Sequence, residues 1–183
     1  GIKMLKIYRG RISDITANRS VTLESWSEFN DLKWTYYNTP KTFSLTYDTK
    51  ILGDNGTINN RNFIDFGPNS YKGQTIYIVS KDEEELLIST APYGVQYSRG
   101  EIYGLSRTGG SITGFVLKDA ADFNIETYLW SNSADIQASI LNNSIILKND
   151  EIINPSDLKI GDKVGILRKE TGTAGDVYLV IVQ

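Results

Sequence analysis

The chain has 183 residues, 40% hydrophobic and 22% charged, which is enough globular material for one large or two small domains. Its net charge of -3, from 22 acidic and 19 basic residues, argues against a general nucleic-acid binder, which needs a basic surface. It contains no cysteine and no histidine, so disulfides, thiolate or imidazole zinc sites, cysteine nucleophiles and Ser-His-Asp triads are excluded.

No apolar run approaches the length of a membrane span, and the opening stretch GIKMLKIYRG lacks a signal-peptide pattern. No membrane insertion within this segment and no cofactor are therefore expected.

Taken in order, the chain reads as strand after strand. Leu5, Ile7 and Ile12 mark the first, and Val21 and Leu23 alternate with Thr22 and Glu24 in the second. Lys33 to Tyr37 is aromatic and β-prone. Phe43, Leu45 and Tyr47 alternate with Thr42, Ser44 and Thr46, and Asp54-Asn55-Gly56 is a turn signal. Ile64 to Ser70 reads as an inserted loop, because no segment shows helical periodicity over ten residues. Ile76 and Ile78 begin the next strand, and Asp82-Glu83-Glu84 turns into Leu86 to Ile88.

The second half repeats the order at Ile102–Leu105, Ile112–Leu117, Ile125–Trp130, Ile136–Leu141, Ile145–Leu147, Val164–Leu167 and Val177–Val182. Asp119 to Phe123 is compatible with one helical turn. Short strands at this spacing predict an all-β chain of two similar small barrel- or sandwich-like domains, 1–92 and 93–183, from an internal duplication.

The ordered matches carry that reading. Arg9-Gly10 matches Arg99-Gly100 at an offset of 90, Ile58-Asn59-Asn60 matches Ile152-Ile153-Asn154 at 94, and Gly73 matches Gly161 at 88. The fullest copy of the shared unit is Pro155 to Leu167, PSDLKIGDKVGIL. There Asp157 can accept nearby backbone amides, Gly161 can take positive φ, and Val164 and Ile166 alternate with Lys163 and Gly165.

Gly100 and Ile102, Ile112 and Thr113, Ile153, Asp157-Leu158-Lys159, Gly161-Asp162, Val164 and the closing Tyr178 to Val182 together resemble tandem β-barrel repeats of bacterial cell-surface proteins, those associated with S-layer homology domains. The first half departs from the pattern, with Phe63 and Lys72-Gly73 where Leu-Lys-x-Gly-Asp is expected. The resemblance implies a non-catalytic structural or binding module of a larger exported or cell-surface protein. Its partners would be protein or cell-wall glycan.

Trp26, Trp34, Tyr36 and Trp130 are the candidate binding residues, since open aromatic faces stack on sugar rings or bases. An alternative function is then a carbohydrate-binding module, with Trp26 and Trp34 framing one shallow platform. The opposing reading turns both rings inward to close the mouth of the first barrel, with Trp34 expected inside and the orientation of Trp26 left open. The carboxylate runs at Asp82 to Glu85 and at Asp119 and Asp122 lack the spacing of a calcium loop and read as solvated turns. A carboxylate-dependent glycan hydrolase needs two of them across a cleft, and a single-strand nucleic-acid binder on a small barrel is disfavoured by charge. No catalytic residue and no metal ligand are assigned.

Overall fold

The computed structural model describes residues 5–82 and 84–183, without the side chains of residues 84–86. The chain divides into two compact units, Gly1–Pro92 and Tyr93–Gln183. Each is a seven-stranded, mostly antiparallel sheet that closes on itself.

Unit one runs β1 (Leu5–Thr16), β2 (Ser20–Asn30), β3 (Lys33–Tyr37), β4 (Lys41–Gly53), β5 (Gly56–Ile58), α1 (Asn60–Ser70), β6 (Thr75–Lys81) and β7 (Glu84–Ser89). The sheet order is β3-β2-β1-β6-β7-β4-β5, and a further β2–β4 pairing closes five strands into a barrel. Four residues of β4 make that closure, Lys41 to Ser44 against Leu23 to Ser20. The same strand then runs parallel to β7.

Unit two runs β8 (Gln96–Thr108), β9 (Ser111–Asn124), β10 (Leu129–Asn132), β11 (Ile136–Lys148), β12 (Glu151–Ile152), a 3-10 turn (Pro155–Asp157), β13 (Lys163–Arg168) and β14 (Ala174–Val182). Its order is β10-β9-β8-β13-β14-β11-β12, closed by β9–β11, which is the order of unit one strand for strand. A five-stranded Greek-key barrel with one parallel pair, and with the helix or turn between its third and fourth strands, has the connectivity of the OB fold. The all-β barrel expectation is met.

One strand per barrel must serve two neighbours, so it bends. In β4 the ladder shifts between Leu45 and Lys50, and the Thr46 amide donates to Thr49 Oγ1 at 3.0 Å. In β11 it shifts between Ile140 and Ile145, and the Leu141 amide donates to Ser144 Oγ at 2.8 Å. A hydroxyl three residues on replaces the lost ladder partner of that amide.

Each interior is apolar. Tyr8, Ile12, Val21, Leu23, Phe43, Ile51, Ile76 and Ile78 fill the first barrel, with Phe63 and Ile64 of α1. Ile102, Phe115, Leu117, Ile136, Ile146, Leu158, Val164 and Ile166 fill the second. The barrels are tight enough to demand glycine at one crossing. A Cβ on Gly10 would sit 2.4 Å from Ser25 O, and one on Gly100 would sit 2.9 Å from Leu117 Cβ.

The helix was not legible as one. Asn59 caps it, accepting from the amides of Arg61 and Asn62 at 2.9 and 3.2 Å. Only Phe63, Ile64 and Gly67 are buried, and Pro68 lies inside it. With a stripe this narrow and propensity this poor, packing of Phe63 in the barrel interior decides the helix, not periodicity.

Asp119 and Asp122 also differ from expectation. Both lie within β9 rather than at a loop or helical turn, because Ala120, Ala121 and Phe123 are taken into buried positions of a ladder. The acidic run Asp82 to Glu85 lies largely outside the described residues; Asp82 itself is exposed at φ 55°.

The turn glycines occupy matching places. Gly73 at φ 88° donates its amide to Ile12 O at 2.8 Å, and Gly161 at φ 97° donates to Ile102 O at 2.7 Å. Asp157 Oδ2 accepts from the Asn154 amide at 3.1 Å, and Asp162 Oδ2 from the Lys159 amide at 2.9 Å, so the acidic side chains knit the turn. A Cβ on Gly161 meets nothing within 4 Å, so substitution there costs conformational strain and no clash. Gly161→Val is expected to lower stability by about 1–3 kcal/mol, read from denaturant melts; an unchanged midpoint would show that the turn tolerates a side chain.

Candidate functional site

The aromatic ribbons that project from each barrel carry the candidate residues. In unit one, β3 pairs only with the far end of β2, in the register Trp26 with Tyr37, Ser27 with Tyr36 and Phe29 with Trp34. Side chains alternate across a strand, so Trp26 and Trp34 sit on opposite faces of this ribbon. They cannot frame one platform. Tyr36 shares its face with Trp34 and Phe29.

On the first face, Trp26 packs against the barrel core and Tyr37 stacks on it, with ring centroids 4.2 Å apart and planes 17° apart. Tyr8 meets Trp26 edge-on at 5.7 Å, and Lys41 Nζ lies 5.0 Å from the Trp26 ring. Trp26 is therefore the ring that closes the barrel, whereas Trp34, the ring expected inside, does not join the core.

On the second face, the Arg9 guanidinium lies 3.9 Å from the Trp34 ring centre, and Phe29 and Tyr77 pack at 5.1 and 5.8 Å. Trp34 is only half-buried and belongs to this cluster instead of the core. The indole nitrogens of Trp26 and Trp34 are both shielded from solvent.

Unit two builds the second cluster again. Arg99 lies 4.0 Å from the Trp130 ring centre, and Phe123, its partner across the β9–β10 ladder, packs at 5.1 Å. Trp130 thus stands in its unit where Trp34 stands in the other. The arginine-over-indole contact is a cation–π interaction worth about 0.5–2 kcal/mol by general measure.

The open rings at the ribbons are tyrosines, and Phe66 of α1 is open elsewhere. Tyr36 is 61% exposed, Tyr37 40% and Tyr128 56%. Tyr47 is more open still, with Arg19 resting on its ring at 3.8 Å.

Charge is mostly paired or solvated. Two guanidiniums are buried, Arg9 and Arg168, each 3% exposed; Arg9 lies over Trp34, and Arg168 donates to Asp122 Oδ1 at 2.9 Å, to Ser98 Oγ at 3.2 Å and to Gly172 O at 2.7 Å. Ser98 also donates to Asp122. The network ties β8, β9 and the β13–β14 hairpin together, which commits Asp122 to structure.

Among the described residues, no three acidic side chains converge to hold a metal ion. No described helix is long and apolar enough to cross a membrane. The resolved shifts in acidity are all upward. Burial raises Tyr97 and Tyr178, the hydrogen bond to Asp135 raises Tyr103, and the hydrogen bond to Glu101 raises Lys118. Each shift moves its group farther from neutral pH.

Each unit also carries a polar concavity. One, of about 440 Å³, opens in unit one between the β4–β5 turn and the C-terminal end of α1. Another, of about 370 Å³, lies in unit two around Arg99, Glu101, Asp119 and Lys163. The sequence pointed to neither, because their walls come from turns distant in the chain.

Compared with known proteins, the chain matches no family model, no curated protein and no solved structure.

The Arg168 network carries a prediction. Asp122→Ala strands a buried guanidinium and is expected to cost about 3–5 kcal/mol. Glu24→Ala removes an exposed pair with Arg11, 3.3 Å long, and should change the melt by about 1 kcal/mol or less. Equal effects in thermal melts would show that Arg168 is held by something other than Asp122.

Proposed function

We propose that this chain is a non-catalytic binding module of a larger exported or cell-surface protein, built by internal duplication. It contacts other protein through the exposed tyrosines of its edge ribbons, where the surface lies in the bacterial cell envelope. The observation that carries this reading is the recurrence of one arginine–tryptophan–phenylalanine cluster on the ribbon of both units. Arg9, Trp34 and Phe29 brace one ribbon; Arg99, Trp130 and Phe123 brace the other. Each braced ribbon offers a tyrosine, Tyr36 or Tyr128, to solvent. A rigid tyrosine supplies contact area at small entropic cost and is common at protein interfaces.

The alternative, a carbohydrate-binding module, draws less support from the tryptophans. Stacking on a sugar needs a free aromatic face, and Tyr37, Arg9 and Arg99 already cover faces of Trp26, Trp34 and Trp130. Of the four candidate residues, Tyr36 is the one whose ring stands open to a glycan. Non-catalytic action is supported by the missing imidazole and thiol and by acidity shifts that lead away from neutral pH.

Co-sedimentation with bacterial envelope fragments, before and after protease stripping, tests the proposal. The chain should pellet with protein-bearing fragments and fail to pellet with stripped ones. The double change Tyr36→Ser and Tyr128→Ser should abolish pelleting while shifting stability by about 1 kcal/mol or less. Retention on stripped glycan that is lost in the same variant would favour the alternative. No retention on either material would overturn both.

A further inference from the structure

The geometry points to a binding site for a neutral mono- or disaccharide in the cleft at the end of the first barrel, remote from the aromatic ribbons and independent of the function proposed for them. The cleft measures about 440 Å³, within the range of about 300–1,000 Å³ that small-molecule sites span. Asp54 and Asn55 come from the β4–β5 turn and Thr57 from β5, Ser70 ends α1, Tyr71 and Gln74 follow it, and Thr90 follows β7.

The chemistry of this wall selects its ligand. Two amides, three aliphatic hydroxyls, a phenol and one carboxylate offer donors and acceptors suited to adjacent sugar hydroxyls. No lysine or arginine lines the cleft, so a phosphate or sulfate would find a carboxylate and no counter-charge. The wall is too polar to favour an apolar ligand. Tyr71 supplies a ring on which a sugar face can rest.

The parts are held in place before any ligand arrives. The Tyr71 amide donates to Gly67 O at 2.7 Å, and its ring packs on buried Phe63 at 5.2 Å. Thr90 donates from its hydroxyl to Asp54 Oδ1 at 3.1 Å and from its amide to Leu52 O at 3.0 Å, which fixes the carboxylate. Gln74 spends Nε2 on Ser70 O at 2.7 Å, which orients the amide that faces a ligand. Gly56, at φ 120°, has nothing within 4 Å of a Cβ position, so the turn leaves the mouth open. Unit two has a 3-10 turn in place of α1, so the site belongs to unit one alone.

Amide-resolved NMR titration of the whole chain tests the assignment. The probes are N-acetylglucosamine and its disaccharide, with N-acetylmuramic acid and inorganic phosphate as charged controls. The neutral sugars should shift amides of residues 53–58, 70–74 and 90 with millimolar affinity, and the anions should shift them at least about tenfold more weakly. Asn55→Ala and Gln74→Ala remove exposed side chains, so both variants should fold and each should weaken sugar binding by about tenfold. Absence of shifts up to about 50 mM neutral sugar overturns the site. So do shifts that spare the cleft and fall on Trp34, Tyr36 or Trp130, equal binding of phosphate, or affinity unchanged in both variants. Loss of envelope pelleting in the tyrosine variant leaves these cleft shifts intact, so the two ideas fail separately.

Discussion

Closure of each barrel depends on one bent strand. A five-stranded barrel needs its third strand to leave one neighbour and join another, and the ladder must break where it turns. At Thr46 and Leu141 the break is healed by a hydroxyl, Thr49 in one unit and Ser144 in the other. Ser144 extends the repair by donating to Val177 O at 2.6 Å, and in unit one Asn60 at the start of α1 donates to Thr46 O and Thr49 O. The corner, the parallel pairing that follows it and the seat of the helix are thus one assembly. Thr49 and Ser144 are themselves buried, so without these bonds their hydroxyls would be left unsatisfied inside the protein.

Much of this architecture can be read from the residues, and the reasons for the rest are physical. Alternation in Val21 and Leu23, the turn glycines Gly73 and Gly161, and the Asp157 and Asp162 side chains all act locally, so the pattern exposes them. Barrel closure is nonlocal, and nothing near Lys41 announces that it will face Leu23. Helix α1 hides because Asn60, Gly67 and Pro68 are poor helix formers, and its support comes from the barrel interior. The ribbon faces were misread for lack of a register. A separation of three residues between Trp26 and Phe29 puts them on opposite sides, but only the β2–β3 pairing shows which ring meets the core.

Across the two units, similarity is concentrated where geometry is demanding. Gly10 and Gly100, Ile12 and Ile102, Leu23 and Leu117, and the arginine-capped indoles keep their places. The surfaces between them diverge. Unit two buries the Arg168 network; unit one carries helix α1 and, beside it, the cleft walled by Asn55 and Gln74. A shared barrel with different fittings is what a tandem pair requires if its halves are to hold different partners.

The capping of the indoles has an optical consequence. All three tryptophans sit in packed clusters, and none lines the cleft between the β4–β5 turn and Tyr71. Indole emission will report the integrity of the ribbons and the barrel mouth while remaining blind to whatever occupies that cleft. Occupancy must be followed through the backbone, or through Tyr71 itself. A flat tryptophan signal on adding sugar is therefore a statement about ribbon packing alone.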